Sequence, residues 1–325
     1  MIISQTPLRI SFAGGGSDFE GFYGHQRGAV LCTSIDKYIY VILKSRFDDQ
    51  VRVGYSTTEI VDHIDSLRHE LVRESMRTVG IHRGVEISTM ADVPSTGSGL
   101  GSSSSVTVGL LNALHAYRGE IQTAATLARQ AAEIEIDILG KPIGKQDQYA
   151  AAFGNFRKIS FNPDDSVNVR TVELTAGIRR ALDERLMLLY TGYGRNASDI
   201  LVEQKANGTA NSRVLARLVD MVDEMESCLL SGDLDEFGRF LHRSWELKRG
   251  LASKISNPHI DSLYERAMAA GALGGKIVGA GGGGFLLLYC NREKQDAVKD
   301  SLRELRELPF RFEMDGSKII FNARR

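Results

Sequence analysis

The chain has 325 residues, 42% of them hydrophobic and 25% charged, with 40 basic against 41 acidic side chains. That length suits two domains, and so ordinary a composition excludes a disordered or fibrous chain. A formal charge of −1 provides no global field for nucleic acid or an anionic membrane, so any anionic substrate must be met by local basic residues.

No apolar run approaches the roughly 20 residues that span a bilayer. Residues 1–20 lack a basic stretch followed by an apolar one. The cysteines, Cys32, Cys228 and Cys290, form no C-x-x-C pair and are too few for a disulfide framework. The expected setting is a reducing cytoplasm, with no nucleic-acid or membrane partner and a homodimer as the assembly to test for.

Residues 2–12 read as a strand ending in the turn Gly14-Gly15-Gly16. Val30–Leu43 reads as strand with a break near Thr33-Ser34, Val51–Tyr55 as a short strand, 64–79 as a helix and Val85–Ser88 as a strand. The next stretch runs from Val93-Pro94 through Gly97-Ser98-Gly99-Leu100-Gly101 to Ser102-Ser103-Ser104-Ser105. An apolar stripe of Val106, Leu110, Leu114 and Tyr117 follows at helical spacing. A helix that opens directly out of a Gly/Ser loop offers N–H groups and a partial positive charge, a natural seat for phosphate. Hydroxyls in its first turn can cap the helix or touch a phosphate-bound Mg²⁺.

Further helices are expected at about 121–139 and from Gln146, then strands at about 155–161, 168–174 and 186–190. Helices follow at about 197–207, 212–230, 234–249 and 258–270. Strands at 274–279 and 284–290, a helix at 293–306 and strands near 309–313 and 318–322 suit a β-β-α-β module. Gly279, Gly281 and Gly284 satisfy G-x-G-x-x-G, but a strand follows, whereas the dinucleotide fingerprint opens a helix. No G-x-x-x-x-G-K-[ST] occurs, and the cysteines and histidines show no metal-ligand spacing.

Three segments together resemble the motifs of the GHMP kinases, named for galactokinase, homoserine kinase, mevalonate kinase and phosphomevalonate kinase. They are Pro7-Leu8-Arg9-Ile10-Ser11-Phe12-Ala13-Gly14-Gly15-Gly16-Ser17-Asp18, Pro94 with Gly99-Leu100-Gly101-Ser102-Ser103, and Lys276-Ile277-Val278-Gly279-Ala280-Gly281-Gly282-Gly283-Gly284-Phe285. The second has one residue more between Pro94 and Gly99 than the family's commonest spacing. Within the family, the heptose-phosphate kinases are most similar, through Gly14–Asp18, Thr191–Ser198, Trp245–Arg249 and Lys254–Pro258 running on to Gly271–Lys276.

The resemblance implies an α+β, two-domain GHMP kinase fold. A ribosomal-protein-S5-domain-2-like, ATP-binding unit would cover 1–165, and a ferredoxin-like split β-α-β unit would cover 166–325. It implies ATP and Mg²⁺ as cofactors and a small sugar phosphate as acceptor. Pro94, Gly97, Ser98, Gly99, Leu100, Gly101, Ser102, Ser103 and Ser104 would hold the nucleotide's phosphates. Ser103 and Glu135 would hold the metal, with Glu133 and Asp137 as competitors for the second place.

Asp147 would accept the proton of the attacking hydroxyl or orient it, and Arg9 would steady charge near the transferring phosphoryl. Asp18, Gly15 and Gly16 would frame the sugar, with Gly281 and Gly282 shaping the pocket. A substrate phosphate needs basic residues, for which Arg195, Lys248, Arg249 and Lys254 are candidates. Galactokinase has Gly-Glu-His where this chain has Gly14-Gly15-Gly16, which argues against galactose. The implied reaction is phosphorylation of the anomeric C1 hydroxyl of D-glycero-α-D-manno-heptose 7-phosphate. The rivals are a kinase for a neutral sugar such as L-fucose and an ATP- and sugar-binding sensor without turnover.

Overall fold

The computed structural model describes residues 1–94, 97–192, 197–207 and 210–323, with the side chains of 197 and 198 left aside. In chain order the strands are β1 (Ile2–Ala13), β2 (Gly28–Ser45), β3 (Val51–Gly54), β4 (Thr58–Val61), β5 (Val85–Ala91), β6 (Phe156–Phe161), β7 (Val167–Thr171), β8 (Leu186–Tyr190), β9 (Gly274–Ile277), β10 (Phe285–Tyr289), β11 (Arg306–Glu307), β12 (Phe312–Glu313) and β13 (Lys318–Asn322). The helices are α1 (Glu20–Tyr23), α2 (Glu70–Val79), α3 (Ser102–Arg118), α4 (Ala124–Ala132), α5 (Gln146–Phe153), α6 (Ala176–Asp183), α7 (Ala197–Ala206), α8 (Ser212–Ser231), α9 (Leu234–Lys248), α10 (Pro258–Ala269) and α11 (Arg292–Ser301).

The larger sheet runs β13-β1-β2-β5-β3-β4, with β6 and β12 also pairing with β2 and β7 pairing with β6. The smaller sheet runs β11-β8-β10-β9. β1 is buried without alternation from Thr6 to Ala13, as expected of a strand covered on both faces.

One irregularity in β1 matters for the site. Ser4 and Thr6 lie against Gly109 of α3. The register with β2 then shifts between Pro7 and Leu8. Beyond it the odd-numbered residues Arg9 and Ser11 reach α5. Side chains alternate along a strand, so this change of parity requires the irregularity.

Four expectations need correction. β2 is a single strand of 18 residues with no break at Thr33-Ser34, because β1 pairs along nearly its whole length and β6 and β5 divide its other edge. The helix expected over 64–79 is interrupted. A short 3₁₀ turn covers Ile64–Ser66, and α2 starts at Glu70, where His69 Nδ1 accepts from Val72 N–H and Glu59 accepts from Arg68 and His69 N–H.

α6 was not expected. Its cap is Thr175, whose hydroxyl accepts from Ile178 N–H at 3.2 Å. The strands expected to complete the β-β-α-β module do not lie in it. β11 is the strand that joins β8, whereas β12 and β13 return to β2 and β1 of the larger sheet. The division expected at 165/166 lies in the turn between β6 and β7, which pair with each other.

Candidate active site

α3 begins where a left-handed residue is needed. Its N-cap, Gly101, has φ +77°, a conformation that costs glycine little. The four serines that follow do different work. Ser102 Oγ meets Ser98 Oγ at 3.0 Å, closing the loop on itself, and Ser105 Oγ donates to Pro7 O at 2.9 Å, pinning the helix to β1. Ser103 and Ser104 donate to the two oxygens of Glu135, each at 2.7 Å. Of the four, Ser103 alone is exposed.

The glycine-rich turn after β9 locks this loop from the other side. A Cβ at Gly99 would stand 2.4 Å from Val278 O, and one at Gly279 would stand 2.6 Å from Gly99 Cα. Gly282 N donates to Ile255 O at 2.8 Å, and a Cβ at Gly281 would lie 2.7 Å from that same oxygen.

Arg9 joins the loop to α5. Its backbone N–H donates to Leu100 O at 3.0 Å and its Nη1 to Gly99 O at 2.6 Å. Nε and Nη2 donate to Asp147 Oδ1 and Oδ2, both at 2.7 Å. This fork-to-fork pairing is the strong, directional form of an ion pair. Gln146, next to Asp147, accepts from Ser11 Oγ at 3.0 Å.

Glu135 lies in a π-helical turn, Glu133–Ile138, that widens the end of α4; such turns recur at functional sites. The wide turn buries Glu135 completely and leaves its competitors Glu133 and Asp137 exposed. Its carboxylate accepts from Ser103, Ser104 and Gln148 Nε2, the last at 2.7 Å. Burial pushes its pKa up, and these donors oppose the shift. Gln148 Oε1 is buried with no hydrogen-bond partner among the described residues. A hydroxyl, a carboxylate and an orphaned amide oxygen are hard donors that fit Mg²⁺ and its bound water.

A cavity opens on the far side of the Arg9–Asp147 pair. Gly15, Gly16, Asp18, Lys248, Gly279 and Ala280 are among the residues that line it with that pair. Asp18 is 7% exposed and accepts from Gly16 N–H and Gln146 N–H. Burial, and then the Asp147 charge, raise its pKa. Lys248 ends α9, is buried and donates from Nζ to Gly279 O.

The structure thus brings together Arg9, Asp147, Asp18, Gly15, Gly16 and Lys248. Pro94, Gly97, Ser98, Gly99, Leu100, Gly101, Ser102, Ser103 and Ser104 lie outside that cavity wall and connect to it through Arg9. Gly281 and Gly282 back onto Ile255. Arg249 is engaged by Glu246 and Asp261 and does not line the cavity, nor does Lys254. Arg195 lies outside the described residues. Sequence reasoning missed Gln146, Gln148, Gln204 and Gly144. Only Gly144 carried a signal, as a glycine three residues before Asp147.

Two family descriptions match the chain: GHMP kinases N terminal domain over residues 66–155 and GHMP kinases C terminal over residues 225–307. The chain is 30% identical over 321 residues to D-glycero-alpha-D-manno-heptose 7-phosphate kinase of Campylobacter jejuni, covering 93% of each. It is 27% identical to the bifunctional fucokinase/GDP-fucose pyrophosphorylase of Arabidopsis thaliana, over 92% of this chain and 31% of that one. Among solved structures, a D-glycero-D-manno-heptose 1-phosphate kinase from Bacteroides thetaiotaomicron superposes with a TM-score of 0.84 at 25% identity over the full length of both chains. Among the described residues no helix is long and apolar enough to cross a membrane. With both family domains matched in order and a relative at 30% identity along nearly the whole length, the chain belongs to the GHMP kinases and is a sugar kinase, a phosphotransferase with an alcohol as acceptor.

Proposed function

We propose that this chain transfers the γ-phosphoryl group of ATP to the anomeric C1 hydroxyl of D-glycero-α-D-manno-heptose 7-phosphate. The product would be the 1,7-bisphosphate, on the way to a nucleotide-activated heptose for surface polysaccharide. The observation that carries the reading is the Arg9–Asp147 pair on the wall of a cavity shared with Asp18 and Lys248. The similarity to a heptose 7-phosphate kinase over 93% of both chains supports the acceptor.

In this reading the loop from Pro94 to Ser104 and the first turn of α3 receive the nucleotide's phosphates. Ser103 and Glu135 would hold Mg²⁺, which supplies charge neutralisation when bound. Asp147 accepts the proton of the attacking hydroxyl or fixes its direction, and Arg9 holds that carboxylate in place by two hydrogen bonds. Asp18, itself fixed by two backbone N–H groups, keeps lone pairs for sugar hydroxyls. Lys248 and Arg9 are the described cations that line the cavity, and among the described residues Lys248 has no carboxylate partner to give up for a phosphate. Phosphoryl transfer depends mostly on such positioning and neutralisation rather than on base strength.

The fucokinase relative keeps a second reading open, a neutral sugar such as L-fucose. The deciding experiment is coupled ADP release with Mg·ATP against heptose 7-phosphate, mannose 6-phosphate, L-fucose, galactose and mevalonate. Turnover chiefly with heptose 7-phosphate, lost in Asp147→Asn, upholds the proposal. Turnover chiefly with L-fucose replaces the acceptor and keeps the catalytic pair. Silence across the panel despite ATP binding favours a sensor.

A further inference from the structure

Two lysines are buried beside the Arg9–Asp147 pair, and among the described residues neither meets a carboxylate in an ion pair. Lys248 is 6% exposed and Lys276 1%. Each donates to one backbone carbonyl: Lys248 Nζ to Gly279 O, and Lys276 Nζ to Phe12 O at 3.0 Å. A third buried lysine, Lys158, shows the ordinary solution, with Glu226 at 3.0 Å and Asp223 also against its ammonium. A buried ammonium without a counter-charge is expensive. With Arg9 the two lysines set three cationic groups against the two carboxylates Asp18 and Asp147 at this end of the site.

The charged groups that face Lys248 are Arg9 on β1, Asp18 in the turn after it, Asp147 on α5 and Lys276 on β9. Asp147 is already held by both arms of Arg9, and Asp18 by two backbone N–H groups. Each carboxylate therefore acts on Lys248 at a distance, opposing the effect of burial without forming an ion pair.

We propose that Lys248 and Lys276 form a proton-accepting amine pair that becomes charged when a phosphate group enters the cavity beside Arg9. Lys248 touches the phosphate, and Lys276, which does not line the cavity, is a positioning residue that sets the charge behind it. The proton passes from water or buffer to the amine lone pair, forming one N–H bond as the donor's bond to that proton breaks, and no other bond changes. Burial, and then Arg9, bring the Lys248 amine down to about 8. Burial, and then Lys248 and Arg9, hold Lys276 well below its usual range. The free site therefore lowers its own repulsion by shedding protons, and a dianion restores them.

The proposal rests on the kinase reading only in that a phosphate group is the guest. That phosphate is either the nucleotide's terminal group or the acceptor's own, and two probes separate them: the non-hydrolysable analogue adenosine 5′-(β,γ-imido)triphosphate with Mg²⁺, and mannose 6-phosphate. Binding is followed by calorimetry at about pH 8.5 in two buffers of different ionisation enthalpy. Phosphate monoesters are fully dianionic there, and roughly three quarters of an amine titrating near 8 is neutral, so proton uptake belongs to the protein.

The wild type should take up most of a proton with whichever probe reaches the amines. Lys248→Arg, charged throughout, should bind comparably with less than half that uptake, and Lys248→Met should bind roughly tenfold more weakly. Lys276→Met should lower the uptake while Lys248 remains. Should Lys248→Met fail to fold, the wild type and Lys248→Arg still decide. Binding with no uptake, or with equal uptake in wild type and Lys248→Arg, overturns the proposal and leaves the kinase reading intact. Failure of both probes to bind the wild type overturns the two together.

Discussion

Arg9 and Asp147 are 138 residues apart and meet through two parallel hydrogen bonds of 2.7 Å. The guanidinium spends its third contact on Gly99 O, so one side chain ties the proposed base to the proposed phosphate loop. Asp147→Asn should lower kcat by roughly 10²–10⁴-fold with little change in nucleotide affinity, read by ADP release and analogue titration. Arg9→Lys, which keeps the charge and loses the fork, should raise KM for ATP and lower kcat together. If nucleotide affinity in Asp147→Asn falls as steeply as kcat, the pair is only a structural tie.

Glu135 and Asp18 predict an unusual pH dependence of stability. Both are buried carboxylates raised above their ordinary values of 4.5 and 3.8, so the folded chain binds more protons there than the unfolded one. Each contribution is present below the ordinary value and is lost as pH rises through the shifted one. In thermal unfolding above about pH 4.5, Glu135→Gln should lose less stability with rising pH than the wild type. Mg²⁺ with a nucleotide analogue should narrow that gap by stabilising the wild type more than the variant. A gap that Mg²⁺ and the analogue leave unchanged would remove the metal-site reading of Glu135.

Gly99 and Gly279 are a matched pair of close approaches. Each has a positive φ, +74° and +73°, and each Cβ would strike the backbone of the other's loop. Gly99→Ala or Gly279→Ala should cost about 1–3 kcal/mol in denaturant unfolding and weaken nucleotide binding more than tenfold. Gly140→Ala is the control: its φ is also positive, +62°, but a Cβ there meets nothing within 4 Å, so it should lose stability while keeping nucleotide affinity. If all three behave alike, backbone strain alone explains the glycines.

Much of the site was legible because its residues sit in short motifs at fixed offsets, and α3 was legible because a loop of glycines abuts a helical stripe. What escaped depends on three-dimensional context. The resemblance put Glu135 ahead of Glu133 and Asp137, but nothing in the sequence shows the π-helical turn at 133–138 that buries Glu135 and leaves the other two exposed. The register shift at Pro7/Leu8 that turns Arg9 toward α5 leaves no periodicity to read. α6, eight residues long with Leu182 as its one fully buried anchor, is too short for a helical stripe to stand out. The last two strands read as part of the terminal module because local pattern cannot say which sheet a strand joins. Lys276 opens the third motif with no role of its own in the sequence, and its reach to Phe12 O spans 264 positions.

Gly144 offers a test of the acceptor side alone. A Cβ there would stand 2.1 Å from Asp18 Oδ2 and 2.8 Å from Asp18 O, so Gly144→Ala must displace the Asp18 carboxylate or the turn that carries it. The nucleotide side has no such contact, since the Pro94–Ser104 loop is held by Arg9 and by the turn at Gly279. Gly144→Ala should therefore raise KM for the sugar by at least tenfold, the loss of one or two hydrogen bonds to a charged acceptor, with KM for ATP nearly unchanged. Asp18→Ala should show the same split, and the double variant should be no worse than Asp18→Ala, because both act on one carboxylate. Additive losses in the double variant would mean that Gly144 acts instead through the neighbouring Gln146 and Asp147, and the assignment of Asp18 to the sugar would fall with that result.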